Sequence, residues 1–421
     1  MEQPQSETVK QIYQWHEKQS RNDPHHGRLG ASVIGHHCER YLWYSFRGLC
    51  RPKFDGRMLR LFETGHLEEP RFVEELRGIG CVVHSVAPNG EQFEFTDLGG
   101  HFACHPDAVI LGLPESSKTW HIGEFKTMNA NAYKKVERAG VKREKPQHYA
   151  QMMVGMGMAG LQRAFYLVKN KDTDELYSER IKFDKDEFKH LQDRACRVIE
   201  SPNPLERCTD RPDDYRCKFC DAYDLCYADS IVKIPEIACR SCCHATAEVN
   251  GDDARWSCAV EGDMKPCDRH LLLPGLVPFA DPTDSSDGWI EFTNRKDGTV
   301  WKHGNAGGMW TTEELMRTPA DAVGDKGVQT IKEGFDATVI SCDKKLTLIE
   351  KYPPEDSELI WEGPDEFIAR AINDLKALEL TSGESSDMFE DDKHKAWELK
   401  GEYLAVIYKG EDYAAIWRGK E

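Results

Sequence analysis

Three residues whose types suit hydrolysis lie close together in the chain: Asp107, Glu124 and Lys126, the first two 17 positions apart. Ala108 to Leu113 (AVILGL) and Trp120 to Phe125 (WHIGEF) are apolar runs of strand length, and Pro114, Glu115 and Ser116 supply a turn between them. The stretch therefore predicts a hairpin with Asp107 at the mouth of one strand and Glu124 and Lys126 on the other. Residues two apart on a strand share a face, so Glu124 and Lys126 project together beside Asp107. Two carboxylates suit a hard divalent cation such as Mg2+ or Mn2+, and a lysine beside them orients or deprotonates a water. The same spacing also describes an amphipathic hairpin with a surface ion pair, so on these residues alone both readings stand.

Other elements must hold this hairpin in place. Residues 1–27 are polar, with a short helix expected around Val9–Lys18. Ser32 reads as the N-cap of a helix carrying Cys38, Arg40, Trp43 and Tyr44. Residues 56–78 read as an amphipathic helix with Leu59, Phe62, Leu67, Phe72 and Leu76 on its buried side, and a kink or restart at Pro70. Cys81–Val86 and Gln92–Phe95 read as strands before the hairpin. After it, a helix through Gln151 continues into MMVGMGMAG, whose small residues predict close packing on a sheet. Arg163–Val168 and Glu179–Phe183 read as strands and Asp184–Ser201 as a helix.

Pro106-Asp107 followed by Glu124-Phe125-Lys126 resembles the PD-(D/E)xK nuclease superfamily. Pro146-Gln147-His148-Tyr149-Ala150-Gln151-Met152 is similar to the helix after the catalytic hairpin in RecB-like and lambda-type exonucleases, where a glutamine lines the site; Gln151 matches it. Gly65-His66-Leu67-Glu68-Glu69 resembles the element that adds one more metal ligand there, matched by Glu69, with His66 and Glu68 as substitutes. RecB-type members usually carry His where this chain has Glu69. The resemblance covers about residues 28–230. It implies an α/β, restriction-endonuclease-like mixed sheet flanked by helices, and metal-dependent hydrolysis of DNA phosphodiester bonds in recombination, repair or replication, exonuclease rather than endonuclease. Glu69, Asp107, Glu124 and the Phe125 carbonyl would hold Mg2+ or Mn2+, Lys126 would activate the water, and Gln151 would position it or the phosphate. The substrate would be single-stranded DNA or duplex ends. A catalytically silent scaffold and a site-specific endonuclease are the alternatives.

The cysteines add to this picture. There are 15, in a chain with no secretory h-region and no 18-residue apolar run, so metal ligation in reducing cytoplasm is expected, with no membrane. Cys217-x2-Cys220-x5-Cys226 matches the iron–sulfur variant of the same nucleases. There, one cysteine before the core joins three after it around a 4Fe–4S cluster. Cys38 takes the first role, and Cys208 competes for one place. Cys239-x2-Cys242, Cys258 and Cys267-x2-His270 have zinc-ribbon spacing. Cys239, Cys242 and Cys258 are the firm Zn2+ ligands, the fourth is Cys267 or His270, and Cys243 and His244 are adjacent spares.

The net charge of −18 is unevenly spread. Residues 1–230 carry 33 Lys and Arg against 35 Asp and Glu, and the remainder carries 22 against 38. Within the near-neutral half, Lys134, Lys135, Arg138, Lys142, Arg143 and Lys145 face only Glu137 and Glu144, a segment suited to a phosphate backbone or to a solvated helix face. Trp43 and Tyr44 suit either base stacking or the core. The expected order is a polar segment 1–27, a nuclease domain 28–230, a zinc ribbon 235–275, and an acidic α+β region 285–421. In that last region hairpins are expected at Trp289–His303 and 402–418, a capped helix start at Thr311, a helix at Asp365–Leu378 and an acidic linker at Ser382–Asp392. Its charge leaves open a recombination or replication partner protein, or mimicry of nucleic acid.

Overall fold

The computed structural model describes residues 6–20, 27–50, 52–264, 267–335 and 337–341, and the strands 347–349, 357–363, 388–390, 394–399, 403–408 and 413–419. Its contacts divide the chain into two units: Met1–Cys226 with Ala245–Lys265, and Tyr227–His244 with Pro266–Glu421. Among the described residues no helix is long and apolar enough to cross a membrane.

In the first unit the chain runs α1 (Glu7–Ser20), β1 (Leu29–Gly30), α2 (Ala31–Ile34), α3 (Glu39–Phe46), α4 (Gly56–Gly78), β2 (Val82–His84), β3 (Phe95–Asp97), β4 (Phe102–Cys104), β5 (Ala108–Leu111), β6 (His121–Met128), α5 (Ala130–Ala139), α6 (Val141–Glu144), α7 (Pro146–Ala159), β7 (Arg163–Asn170), β8 (Leu176–Lys182), α8 (Lys185–Glu200) and α9 (Tyr223–Tyr227). A meander of β9 (Ala245–Ala247), β10 (Trp256–Cys258) and β11 (Gly262–Asp263) completes the unit. The central sheet has the order β2-β5-β6-β7-β8. Only its β6–β7 pair is parallel, with Glu124 opposite Tyr166, so the sheet is mixed. A small β1-β4-β3 sheet lies apart from it in hydrogen bonding.

Local chemistry accounts for the element ends. Asp55 Oδ1 accepts from Met58 N to cap α4, Asn129 caps α5, and Asp184 caps α8 through the amides of Asp186 and Glu187. Pro146 opens α7 at a position that needs no amide hydrogen, and Gly160, at φ +68°, closes it. The Met- and Gly-rich run packs as expected: a Cβ on Gly155 would stand 3.3 Å from Cys104 Sγ, and one on Gly157 would collide with the Phe188 ring. Phe72, Val73 and Leu76 of α4 join Val83, Ala108, Ile110, Phe125, Phe165 and Leu167 in one buried cluster.

Several expectations need correction. Ser32 lies inside the short α2, whose N-cap is Gly30, and α3 is capped by Cys38. Helix α4 runs unbroken through Pro70. Its N-terminal half is not core: Leu67 is 72% exposed and Phe62 39%. That half packs instead on α1, where a Cβ on Gly56 would overlap the Tyr13 backbone. The strand expected at Gln92–Phe95 forms later, at Phe95–Asp97. Trp43 and Tyr44 are buried, and Trp43 Nε1 donates to Ser201 O at 2.9 Å, so neither ring is free to stack on a base.

In the second unit, strands Trp289–Asn294 and Val300–Gly304 form the expected hairpin, with Gly298 in its turn at φ +73°. Thr311 and Glu314 form the expected capping box on helix Thr312–Arg317. Strands Tyr403–Tyr408 and Tyr413–Gly419 pair antiparallel inside a five-stranded sheet. Met388–Glu390, within the expected acidic linker, is a strand paired with His394–Leu399. The helix expected at Asp365–Leu378 lies outside the described residues.

Candidate active site

Strands β5 and β6 pair as predicted, Ala108 opposite Gly123, and this fixes the three residues. Asp107 N donates to Gly123 O at 3.2 Å, so the aspartate sits on the ladder just before β5. Its Oδ2 accepts the Phe125 amide at 2.6 Å. Glu124 and Lys126 share a face of β6, while Phe125 between them turns to the core, its ring 5.3 Å from that of Phe72. The Lys126 ammonium lies in ion contact with Glu124 Oε1 and 4.0 Å from Asp107 Oδ2. Beyond that contact, Glu124 Oε1 is buried with no hydrogen-bond donor, and the residue is only 1% exposed.

The electrostatics follow from burial. Removal from water pushes the Glu124 carboxyl up to about 7; Lys126 pulls it down, and Asp107 and Glu69 push it further up. Burial also raises Asp107, against the pull of Lys126 and the Phe125 amide. Burial opposes the charge on Lys126, but Glu124 and Asp107 outweigh it and hold the ammonium protonated. Glu69 on α4 belongs to the same field: burial raises it first, then Asp107, while His66, whose Nδ1 is 3.3 Å from Glu69 Oε1, and Lys126 lower it. Glu68, the neighbouring substitute, turns elsewhere, to Lys169 at 2.9 Å and Arg71 at 3.1 Å. Gln151 is half-buried in the second turn of α7, which packs against β6.

Hard oxygen donors and mutually repelling carboxylates fit a divalent cation. Glu124, Asp107 and Glu69 are the residues that would hold it.

Two residues at this site carry no role in the sequence reading. His148, in the first turn of α7, has Nδ1 2.7 Å from the Tyr166 hydroxyl. Tyr166 is fully buried on β7 and stands in register with Glu124. Their partnership spans 18 positions and two elements, so no local spacing signals it.

The basic segment is presented by short helices. Tyr133 and Val136 anchor α5, leaving Lys134, Lys135 and Arg138 exposed. Lys142 and Arg143 are exposed on α6, with the Lys142 ammonium 4.8 Å from the centre of the Tyr149 ring, and Lys145 is half-buried at the start of α7.

Cys38, Cys208, Cys217, Cys220 and Cys226 lie within one another's electrostatic reach in the same unit. Arg40 Nε donates to Leu205 O at 2.5 Å, so α3 holds the chain before Cys208 close to the helix start at Cys38. The Cys208 thiol contacts those of Cys38 and Cys217; burial, then these neighbours, push it up to about 12. Arg207 Nη2 donates to Cys226 O at 2.7 Å, and Cys220 lies within the field of Cys38, Cys217 and Cys226. Cys208 is thus as much a member of the group as the three expected after the core.

The predicted zinc ligands divide between the units. Cys258, in the first, has Sγ 3.5 Å from Glu261 N. In the second, Cys242, Cys243 and His244 place their donor atoms within 4.8 Å of one another. Leu271 N donates to Cys242 Sγ at 3.3 Å. Cys239 begins the preceding short helical turn, and Cys267 is exposed. His270 is buried with both ring nitrogens engaged, Nδ1 at 2.9 Å from Thr312 Oγ1 and Nε2 at 3.0 Å from Ser241 Oγ. It is built into the core as a hydrogen-bonding residue, whereas the adjacent spares lie together.

No protein-family model matches the chain, and no curated protein matches it. Among solved structures it is similar to an alkaline exonuclease from Laribacter hongkongensis, with 15% identity and a TM-score of 0.30 over 41% of this chain and 86% of that one. The complex of that exonuclease with dAMP gives 15% identity and 0.30 over 45% and 90%. The structure of SSO0001 gives 14% and 0.33 over 53% and 98%.

Proposed function

We propose that the chain is a metal-dependent deoxyribonuclease, acting on DNA ends as an exonuclease. The observation that carries this reading is the meeting of Asp107, Glu124 and Lys126 at one end of the β5–β6 pair, with the buried Glu124 carboxylate held against the Lys126 ammonium. Glu69, Asp107, Glu124 and the Phe125 carbonyl would hold Mg2+ or Mn2+, which supplies charge stabilisation at the phosphorus and acidifies a bound water. Lys126, held beside both carboxylates, orients that water and offsets charge on the phosphate. Gln151 positions the water or the phosphate. The exposed cations of α5 and α6 hold the DNA backbone without regard to sequence.

The cysteine group Cys38, Cys208, Cys217, Cys220 and Cys226 supports a 4Fe–4S cluster that staples the start and end of the nuclease unit. Cys242, Cys243 and His244, with Cys239 and Cys267 of the same unit, are the candidates for a structural Zn2+. The acidic remainder is proposed as a docking surface for a recombination or replication protein.

A digestion series with Mg2+ and Mn2+ tests the reading on end-labelled single strands, end-labelled duplexes and closed circles. Ends should be degraded and circles spared, and Asp107→Ala should remove activity without unfolding the protein. Cutting of circles would make the enzyme an endonuclease. An Asp107→Ala variant as active as wild type would refute the site.

A further inference from the structure

The pair His148–Tyr166 stands at the edge of the carboxylate site, outside every role given above. Tyr166 is fully buried, and paired residues on neighbouring strands project to the same face, so its ring lies on the face that carries Glu124. A buried phenol needs a hydrogen-bond partner, and here it has His148 Nδ1 at 2.7 Å. Burial first, then the charge of Glu124, hold the phenol protonated. Burial first, then Lys126 and Lys145, push the imidazole down to about 3, so it is neutral at working pH. A neutral imidazole that accepts the phenol proton at Nδ1 carries its own hydrogen on Nε2. The cations whose fields reach this ring are one from the carboxylate site, Lys126, and one from the basic segment, Lys145. An N–H donor in the field of two ammonium groups suits an anionic oxygen.

We propose that His148 is a substrate-contacting residue that donates its Nε2–H to a non-bridging oxygen of the DNA phosphate at the site, and that Tyr166 is the positioning residue that fixes its tautomer. The inference rests on the nuclease reading and adds to it a phosphate contact between the metal-binding carboxylates and the basic segment. It also gives α7 a second function beside presenting Gln151. A bare structural cap for Tyr166 would need only an acceptor at Nδ1, and Nε2 would then be dispensable.

Steady-state digestion of an end-labelled duplex by wild type, His148→Ala, His148→Gln and Tyr166→Phe tests it. His148→Ala should lower kcat/KM by roughly 10- to 100-fold, the range expected when a hydrogen bond to a charged group is lost. Its Mn2+ concentration dependence should stay at wild type while its melting temperature falls, because the buried Tyr166 hydroxyl loses its partner, and added imidazole should restore part of the rate. His148→Gln keeps an amide donor and should retain more activity than His148→Ala. Tyr166→Phe should lose less than His148→Ala and gain nothing from imidazole. Wild-type rates in both His148 variants, or a rate in His148→Ala that imidazole leaves unchanged, would overturn the proposal. If His148→Ala fails to fold, His148→Gln and Tyr166→Phe decide it by the same rates. Loss of activity in Asp107→Ala alongside full activity in the His148 variants removes only this inference. A wild type inert on all DNA removes the nuclease reading and this inference with it.

Discussion

Glu124→Gln should make the metal-free protein more stable above neutral pH while abolishing cleavage. Glu124 is 1% exposed, and burial lifts its carboxyl from 4.5 to about 7 even beside Lys126. Between these values the folded protein holds a proton that the unfolded chain has released. The stability linked to this group is therefore complete below about pH 4.5 and is lost as pH rises through 7. At about 1.4 kcal/mol per unit, the loss is on the order of 3 kcal/mol. Glutamine copies the neutral acid and cannot ionise, so the variant avoids that loss. It should match wild type near pH 4.5 and exceed it at pH 8 by on the order of 3 kcal/mol, or very roughly 5–10 °C in melting temperature for a unit of this size. Urea melts in chelator at both pH values, followed by tryptophan fluorescence, measure the difference. Adding Mn2+ should close the gap by stabilising wild type alone. A Glu124→Gln variant less stable than wild type at pH 8 would show that the buried carboxylate is not held at an energetic cost, and the argument for a cation there would fail.

His303 is buried and neutral, its Nδ1 2.7 Å from Trp310 O and its Nε2 2.7 Å from Leu272 N, with burial pushing it down to about 4. The stability it contributes to the second unit is complete above pH 6.5 and lost as pH falls through 4; a His303→Gln variant should flatten that acid limb in denaturation melts. Protein purified without oxygen should be brown and contain iron, and Cys220→Ser should reduce both colour and iron; a colourless, zinc-only wild type would refute the cluster. Changing Lys142, Arg143 and Lys145 together to Ala should weaken DNA binding and reduce its salt slope by up to about 3, one per lost phosphate contact, as measured by anisotropy titrations. An unaltered slope would return the segment to a solvated surface.

How far the sequence could be read depends on the distance over which each feature is encoded. The β5–β6 hairpin was legible because its period of two, its turn residues and its charged residues lie within one short stretch. The capped helix start at Thr311 was legible for the same reason. Helix α4 was read too generously: its apolar stripe is continuous in sequence, but only Phe72, Val73 and Leu76 reach the sheet cluster. Glu68 and Glu69 are adjacent letters, and a helix turns about 100° per residue, so one meets Lys169 and the other the carboxylate site. A C-x2-H spacing does not reveal that His270 has Ser241 and Thr312 as partners. The Lys332–Glu314 ion pair, buried at both ends, had no sequence signal at all.

The parallel β6–β7 pair explains why the scattered site residues belong together. Two parallel neighbours cannot be joined by a tight turn; the chain must cross over, here through α5, α6 and α7. The crossover leaves β6 at Met128, two residues beyond Lys126, and α5 starts at Ala130. The cations of α5 and α6 therefore follow directly from the strand end that carries Glu124 and Lys126. The returning α7 brings His148 to Tyr166 on the strand beside Glu124. The same connection that closes the sheet thus carries the basic segment, Gln151 and the His148 imidazole. A substitution that loosened the crossover, such as one at the φ +81° Gly140 between α5 and α6, would separate binding from chemistry without touching a ligand.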